Sequence, residues 1–392
     1  MPFELTFLGT GSGYPTEHRA ASCIILTKLN GVAYMFDCGE GSQTQFQKSR
    51  IKPSRIKKIF ITHLHGDHCF GLPGFLLSFT FKVDFLEIYG PVGLRQYIRN
   101  VLAMTYSEPN VKYCVHELVP IDKQLDSINA NYYNRKEKDL FKNDKYIKKE
   151  QMYKSPFDGF QTPKLEMESD GKQIEYNPIT ECWDLCHDDE IWVRASYINH
   201  RVPSFGYSML ADDKIGKLNV FKLKEHGIPA GNVYRQLKTG NTVLINKTNL
   251  LNDYFKSDVI ELNGQDYVGP PEQGQHVVIL GDTSNSDAMI NISLNCDILV
   301  HESTLDDERK DDCILKGHST PRMAAEFANR VNAKHLILTH FSQRYLPPGV
   351  HILHKKKKLN DESESSDKLL NQAKQYFKGK SVTAAYDFLS FC

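Results

Sequence analysis

Short apolar runs and longer amphipathic stretches alternate along the 392-residue chain. FELTFLG (3–9), SCIILTK (22–28), AYMFDCG (33–39), KKIFITH (57–63), FLEIYGP (85–91) and HVVILGD (276–282) are short and rich in β-branched and aromatic residues, which predicts strands. Helical spacing runs through 43–50, 72–80 and 93–104. It returns in PRMAAEFANRVNA (321–333), where Pro321 follows the polar pair Ser319-Thr320, a capping signal. Strands alternating with helices predict an α/β protein with helices packed on sheets. No internal repeat interrupts this pattern.

Two stretches break it. Residues 121–180 are rich in Asn, Lys, Asp and Tyr and poor in apolar periodicity, which predicts a surface insertion, partly disordered. Residues 348–366 set a lysine run beside an acidic, serine-rich run, the pattern of a solvated loop.

Composition adds few constraints. The 48 basic and 48 acidic residues cancel, so an anionic partner must be held by a local basic patch or by metal ions. No window has the roughly 20 apolar residues needed to span a bilayer. The N-terminal residues lack a secretory pattern, so reduced thiols in the cytosol or nucleus are expected for the nine cysteines. Cys182 and Cys186, followed by His187, resemble half of a metal motif with no second half, and are expected to be plain thiols.

Chemistry is concentrated in FITHLHGDHCFGLPG (60–74), where His63, His65, Asp67 and His68 occupy six positions between a strand and a helix. Imidazole and carboxylate together suit zinc, or less selectively iron or manganese. Four ligands in six residues are too crowded for one tetrahedral ion. His63 and His65 can share one metal, and Asp67 and His68 can address a second. Three later strands end in further ligands: IWVRASYINH in His200, VVILGD in Asp282 and HLILTH in His340. A polar residue closing one strand is usually a turn residue, but together these complete a dinuclear set.

These motifs resemble the metallo-β-lactamase superfamily and, within it, the short form of ribonuclease Z. The resemblance rests on FLGTGSGYPT (7–16), FDCGEGSQTQ (36–45), HLHGDHCFGLPG (63–74), GDTSNSD (281–287), HEST (301–304), GHST (317–320) and LTHFSQRY (338–345). It implies one domain over 1–392, an αβ/βα sandwich of two facing mixed sheets with outer helices. It implies two zinc ions, one on His63, His65 and His200, the other on Asp67, His68 and His340, with Asp282 bridging. Asp67 is then the general base that orients an attacking water, and Asp37 steadies a ligand from beneath. His318 is the expected proton donor to the leaving 3′ oxygen, tuned by Glu302. His301 is expected to be a buried, hydrogen-bonded histidine.

The expected activity is endonucleolytic removal of the 3′ trailer from precursor tRNA, leaving a 3′-hydroxyl on the tRNA and a 5′-phosphate on the trailer. An alternative within the superfamily is hydrolysis of small or cyclic phosphodiesters. Residues 214–238 carry Lys214, Lys217, Lys222, Lys224, Arg235 and Lys238 against Glu225 alone. By charge alone this is an exposed helix–loop; by resemblance it is the core of a protruding arm, 211–242, that grips tRNA away from the metals. A homodimer follows from the resemblance as well. The family's early substrate-sensing loop corresponds to PTEHRA (15–20), which keeps Pro15 and Arg19 but has Glu17 and Ala20. Arg19 is therefore expected to meet RNA, while Glu17 would repel phosphate.

Overall fold

The computed structural model describes residues 3–78, 85–128, 162–188, 190–246, 259–348, 350 and 364–392. Most of the expected 121–180 insertion and of the 348–366 loop lies outside the described residues.

In chain order the first strands are β1 (Phe3–Gly9), β2 (Cys23–Lys28), β3 (Ala33–Phe36), β4 (Ile56–Phe60), β5 (Leu86–Pro91), β6 (Tyr113–Leu118), β7 (Glu168–Ser169) and β8 (Gln173–Ile174). Next come β9 (Trp183–Asp188), β10 (Ile191–Ile198), β11 (Ser204–Ala211), β12 (Thr242–Asn246) and β13 (Val259–Asn263). The series ends with β14 (His276–Ile279), β15 (Ile298–Glu302), β16 (His335–Thr339), β17 (Tyr345–Leu346), β18 (Glu364–Ser365), β19 (Ser381–Ala384) and β20 (Ser390–Phe391).

One sheet has the order β20-β1-β2-β3-β4-β5-β6, with β7 and β8 both pairing β6. Strands β1 to β3 run antiparallel and β3 to β6 parallel. The other sheet has the order β19-β16-β15-β14-β11-β10-β9, and β14, β15, β16 and β19 are mutually parallel. Parallel strands covered on both faces read as continuous apolar runs. Strand β15 is an example: Ile298, Leu299 and Val300 are followed by His301 and Glu302, all buried. Polar residues appear only where the strand ends, and the site gathers there.

Facing surfaces of the two sheets are joined by aromatic rings. Phe60 of β4 stacks on Phe36 and Tyr89, with centroids 5.1 Å away in each case, and meets Tyr207 of β11 at 5.3 Å. Burying each such ring contributes roughly 1.5–3 kcal/mol. On the outer side of the first sheet, Met35, Ile59, Ile88 and Val115 pack with Phe46, Phe75, Ile98 and Leu102 from helices Ser42–Lys48, Leu72–Leu77 and Leu94–Met104. The second sheet is covered by helices Pro321–Arg330 and Ser366–Tyr376 through Ala324, Ala328, Leu369 and Ala373. Thr320 caps the former, its hydroxyl accepting from Met323 N–H, as the Ser-Thr-Pro signal predicted.

The chain divides into two compact units rather than one: residues 1–209 with 276–392, and 210–275. The smaller unit contains helices Val220–Glu225 and Asn232–Lys238 and the β12–β13 hairpin. It has a hydrophobic core of its own, Leu223, Ile228, Leu237, Leu262 and Tyr267. Leu262 and Tyr267 come from beyond residue 242, so the unit extends to Gln275, past the 211–242 span. No helix among the described residues is long and apolar enough to cross a membrane.

Candidate metal centre

Seven residues converge from the ends of β4, β10, β14 and β16 and the short helix Gly66–Cys69. His63, His65, His200 and Asp282 form one group; Asp67, His68, Asp282 and His340 form the other. In each group the ligand atoms lie within 4.8 Å of one another. Asp282 is shared oxygen by oxygen. Its Oδ2 lies 3.7 Å from His63 Nε2 and 3.9 Å from His200 Nε2, while Oδ1 lies 3.3 Å from His68 Nε2 and 3.2 Å from His340 Nε2. Within the first group His65 Nδ1 is 3.0 Å from His63 Nε2 and 3.1 Å from His200 Nε2. In the second, Asp67 Oδ2 is 3.3 Å from His340 Nε2 and 3.6 Å from His68 Nε2.

The donor set fits zinc. A tetrahedron with bonds of about 2.0–2.2 Å sets its ligand atoms about 3.3–3.6 Å apart, close to the spacing within both groups. For the first group the electrostatics fit as well. Burial holds His63 and His200 well below the usual imidazole range and pushes His65 down to about 4, so these rings are neutral and offer lone pairs. Burial acts against Asp282 and Asp67, yet neighbouring His340 and His68 keep both carboxyls below their ordinary value. His68 moves the other way: burial would lower it, but Asp282, Asp37 and Asp67 raise it well above the usual value.

The rings of His63, His68, His200 and His340 are oriented from behind, which also selects their tautomers. Asp37 Oδ2 lies 2.7 Å from His68 Nδ1, and the same carboxylate accepts from Thr62 N–H and Oγ1 at 2.7 and 2.9 Å. His200 Nδ1 donates to Gly317 O at 2.6 Å. His340 Nδ1 meets Thr304 Oγ1 at 3.0 Å, and His63 Nδ1 meets Thr62 Oγ1 at 3.0 Å. Asp37 and His340 both have left-handed backbone, φ 58° and 57°, a conformation that strains side-chain-bearing residues and clusters at functional sites.

Beside the second group, His318 Nδ1 lies 2.9 Å from Glu302 Oε1. Burial would lower His318, but Glu302 and then Asp282 raise it, which favours a ring that carries a proton. Glu302, His318 and His340 are close enough to form a third ligand group. Both Glu302 oxygens are already occupied, Oε1 also accepting from Thr283 N–H and Oε2 from Thr304 N–H and Oγ1. Glu302 is thereby placed to orient His318. His301 is buried between Ser286 Oγ and Glu302 O, in keeping with the structural reading. Another group, Glu87, Cys114 and His116, lies outside this site. Lys58 Nζ pairs with Glu87 there, and His116 Nδ1 accepts from Lys172 N–H, an arrangement poor for a cation.

Arg19 is a correction. It is 3% exposed, and its guanidinium donates to Tyr345 O, Thr10 Oγ1, Ala385 O and Ser366 Oγ. A side chain so enclosed ties the early loop to the C-terminal segment and is not offered to RNA. Glu17 is exposed and lies 3.1 Å from His18 Nε2. In the smaller unit Lys214, Lys217, Lys224, Arg235 and Lys238 are exposed, Lys217 pairs with Glu272, and Lys222 is half-buried over the Tyr267 ring. Cys182 and Cys186 are free thiols, and neither joins a ligand group among the described residues.

Several contributors were missed from sequence. Gly13 N–H donates to Asp67 Oδ2 at 2.6 Å, fixing the carboxylate from a loop 54 residues away. Thr62 and Thr304 link ligands to their supports. Arg201, following His200, is close enough to depress both His65 and His318. Its adjacency to His200 was a usable signal.

Two facing mixed sheets with paired His/Asp groups at their strand ends define a metal-dependent hydrolase of metallo-β-lactamase fold. A family model described as anti-Pycsar protein Apyc1 matches residues 3–112. The "Zinc phosphodiesterase ELAC protein 1" of Bos taurus is 37% identical over 397 residues, covering 99% of this chain and 98% of that one. A "Ribonuclease Z" of Bacillus cereus is 32% identical over 392 residues with the same coverage. The crystal structure of human tRNase Z, short form (ELAC1), superposes with a TM-score of 0.61 at 30% identity, covering 99% of this chain and 98% of that chain. The chain belongs to the ribonuclease Z family.

Proposed function

We propose that the chain is a zinc-dependent endoribonuclease that removes the 3′ trailer from precursor tRNA, leaving a 3′-hydroxyl on the tRNA and a 5′-phosphate on the trailer. The observation that carries this reading is the division of Asp282 between the two groups, Oδ2 toward one and Oδ1 toward the other. It supports two ions per subunit, with His63, His65 and His200 holding one, Asp67, His68 and His340 the other, and Asp282 shared. When bound, zinc supplies Lewis acidity, which lowers the pKa of a coordinated water and offsets charge on phosphoryl oxygens.

The remaining steps belong to the protein. Asp67, fixed by Gly13 N–H and kept ionised by His68 and His340, orients the attacking water and takes its proton. Arg201 brings a positive charge to the same mouth. His318 has its Nδ1 held by Glu302, which leaves Nε2 as the nitrogen that faces substrate and protonates the departing 3′ oxygen. The smaller unit, with its exposed lysines, holds the RNA backbone by charge, and shape rather than base identity guides recognition. Action as a homodimer in the cytosol or nucleus completes the reading; free thiols suit a reducing compartment.

The test is incubation of the zinc-loaded protein with a trailer-bearing precursor tRNA, followed by mapping of both product ends, with bis(p-nitrophenyl) phosphate assayed beside it. A 3′-hydroxyl on tRNA and a 5′-phosphate on the trailer are expected. Fast turnover of the small diester with intact RNA would instead favour the small-phosphodiester reading.

A further inference from the structure

An exposed aromatic ring by itself needs no explanation, since isolated apolar residues are common on protein surfaces. Phe70 is a different case because its position is built. The segment around it is otherwise buried, with Cys69 and Leu72 almost inaccessible, yet Phe70 is 63% exposed. Its ring lies against the backbone of Gly66, the residue between ligands His65 and Asp67. A Cβ at position 66 would run into the Phe70 ring, so glycine there lets the ring lie against the backbone without swinging aside. Phe70 N–H also donates to Gly66 O at 2.9 Å, closing the turn that sets the ring.

A second exposed ring comes from another part of the chain. Tyr14 is 60% exposed. It follows Gly13, whose N–H is bonded to Asp67 Oδ2 and whose φ of 83° turns the loop in a way side-chain-bearing residues resist. Two exposed rings thus stand on backbone beside Asp67: Phe70 closes a turn onto Gly66, the residue before it, and Tyr14 follows Gly13, which bonds its carboxylate.

We propose that Phe70 and Tyr14 are stacking surfaces for the unpaired nucleobases that flank the scissile phosphodiester. Single-stranded RNA is commonly held by bases stacked on aromatic side chains, because every base has a π-face whatever its sequence. A paired and stacked base has no free face to give, so such rings select a single-stranded segment at the metal centre. The inference rests on RNA being the substrate, and RNA cleavage by the unaltered enzyme tests that separately.

The experiment compares precursor tRNA carrying its natural bases with versions abasic at the nucleotide on either side of the cleavage point. Phe70→Ala raises KM about tenfold, the scale of one lost stacking contact, with kcat changed less than about twofold. Phe70→Trp restores KM, which a purely structural role would not allow. An abasic site at one flanking position raises KM of the unaltered enzyme by a similar factor and adds nothing further to Phe70→Ala. Tyr14→Ala repeats this behaviour at the other flanking position. An unchanged KM for Phe70→Ala, or a Phe70→Ala defect just as large on both abasic RNAs, overturns the proposal.

Discussion

His318 Nδ1 and Glu302 Oε1 are 2.9 Å apart, and Glu302 is itself held by Thr283 and Thr304. This pair fixes an imidazole beside the second ligand group without using it as a ligand. General-acid residues contribute about 10²–10⁴-fold, so His318→Ala is expected to lower the single-turnover rate on precursor tRNA by that range. The defect shrinks on a diester with a p-nitrophenolate leaving group, which departs without protonation. Glu302→Gln lowers the rate less, and the double variant is no slower than His318→Ala. Equal defects on both substrates would remove His318 from the protonation step.

Asp282 contacts both ligand groups, whereas His65 and His340 each contact one. Asp282→Ala is therefore expected to lose zinc from both positions, and His65→Ala or His340→Ala from one. Elemental analysis of the purified variants reads this directly. All three lose RNA cleavage, and chelation of the unaltered enzyme reproduces the loss reversibly.

Because the 210–275 unit has its own hydrophobic core, its removal is expected to leave the larger unit folded. The shortened protein should retain turnover of bis(p-nitrophenyl) phosphate and lose precursor tRNA binding. Replacing Lys214, Lys217 and Lys224 by alanine weakens binding and flattens the dependence of log K on log salt by about 0.7–0.9 for each phosphate contact removed. A salt slope that does not change would disconnect these lysines from RNA.

Arg19 gives the opposite expectation from an RNA contact. Arg19→Met leaves Tyr345 O, Ala385 O and two hydroxyls without their donor in a buried setting. Breaking such a buried network costs roughly 3–5 kcal/mol, visible in urea unfolding, while RNA affinity of the folded fraction stays the same. Weaker RNA binding at unaltered stability would restore the loop reading.

His116 is pushed down to about 4 by burial and by Lys172, Lys58 and Arg95. The unfolded chain, with an imidazole pKa of about 6.5, then binds this proton before the folded one does. Its contribution is complete above that pH, declines as pH falls toward 4 and is constant below. The stability difference between the unaltered protein and His116→Gln should therefore narrow between pH 7 and 4. Parallel profiles would show that His116 does not drive the slope.

Much of this was readable in the chain because several of the candidate metal ligands close apolar strands. A run such as HLILTH announces both the strand and the residue at its end, so His200, Asp282 and His340 were legible there, while His63, His65, Asp67 and His68 were legible from their clustering, and the structure brings all seven together. Residues whose role depends on distant partners were not. Arg19 looks like a loop cation until Tyr345 and Ala385, more than 300 positions away, enclose it. Gly13 acts through a backbone N–H, which no side-chain pattern reveals. The expected arm ended at 242 because the charge of residues 214–238 marks it, whereas Leu262 of β13 and Tyr267 just after it, which complete the core of the smaller unit, carry no such mark.

The left-handed backbone at Asp37 and His340 has a consequence for how this chain can change. Glycine at either position would relax strain of about 1–3 kcal/mol. At 37 the same exchange would leave Thr62 N–H, Thr62 Oγ1 and His68 Nδ1 without their buried acceptor, and at 340 it would remove a ring held by Thr304 and a proposed zinc ligand with it. The strained backbone is thus held in place by what these two side chains bind. Glycine at either point is expected to lower stability and activity together.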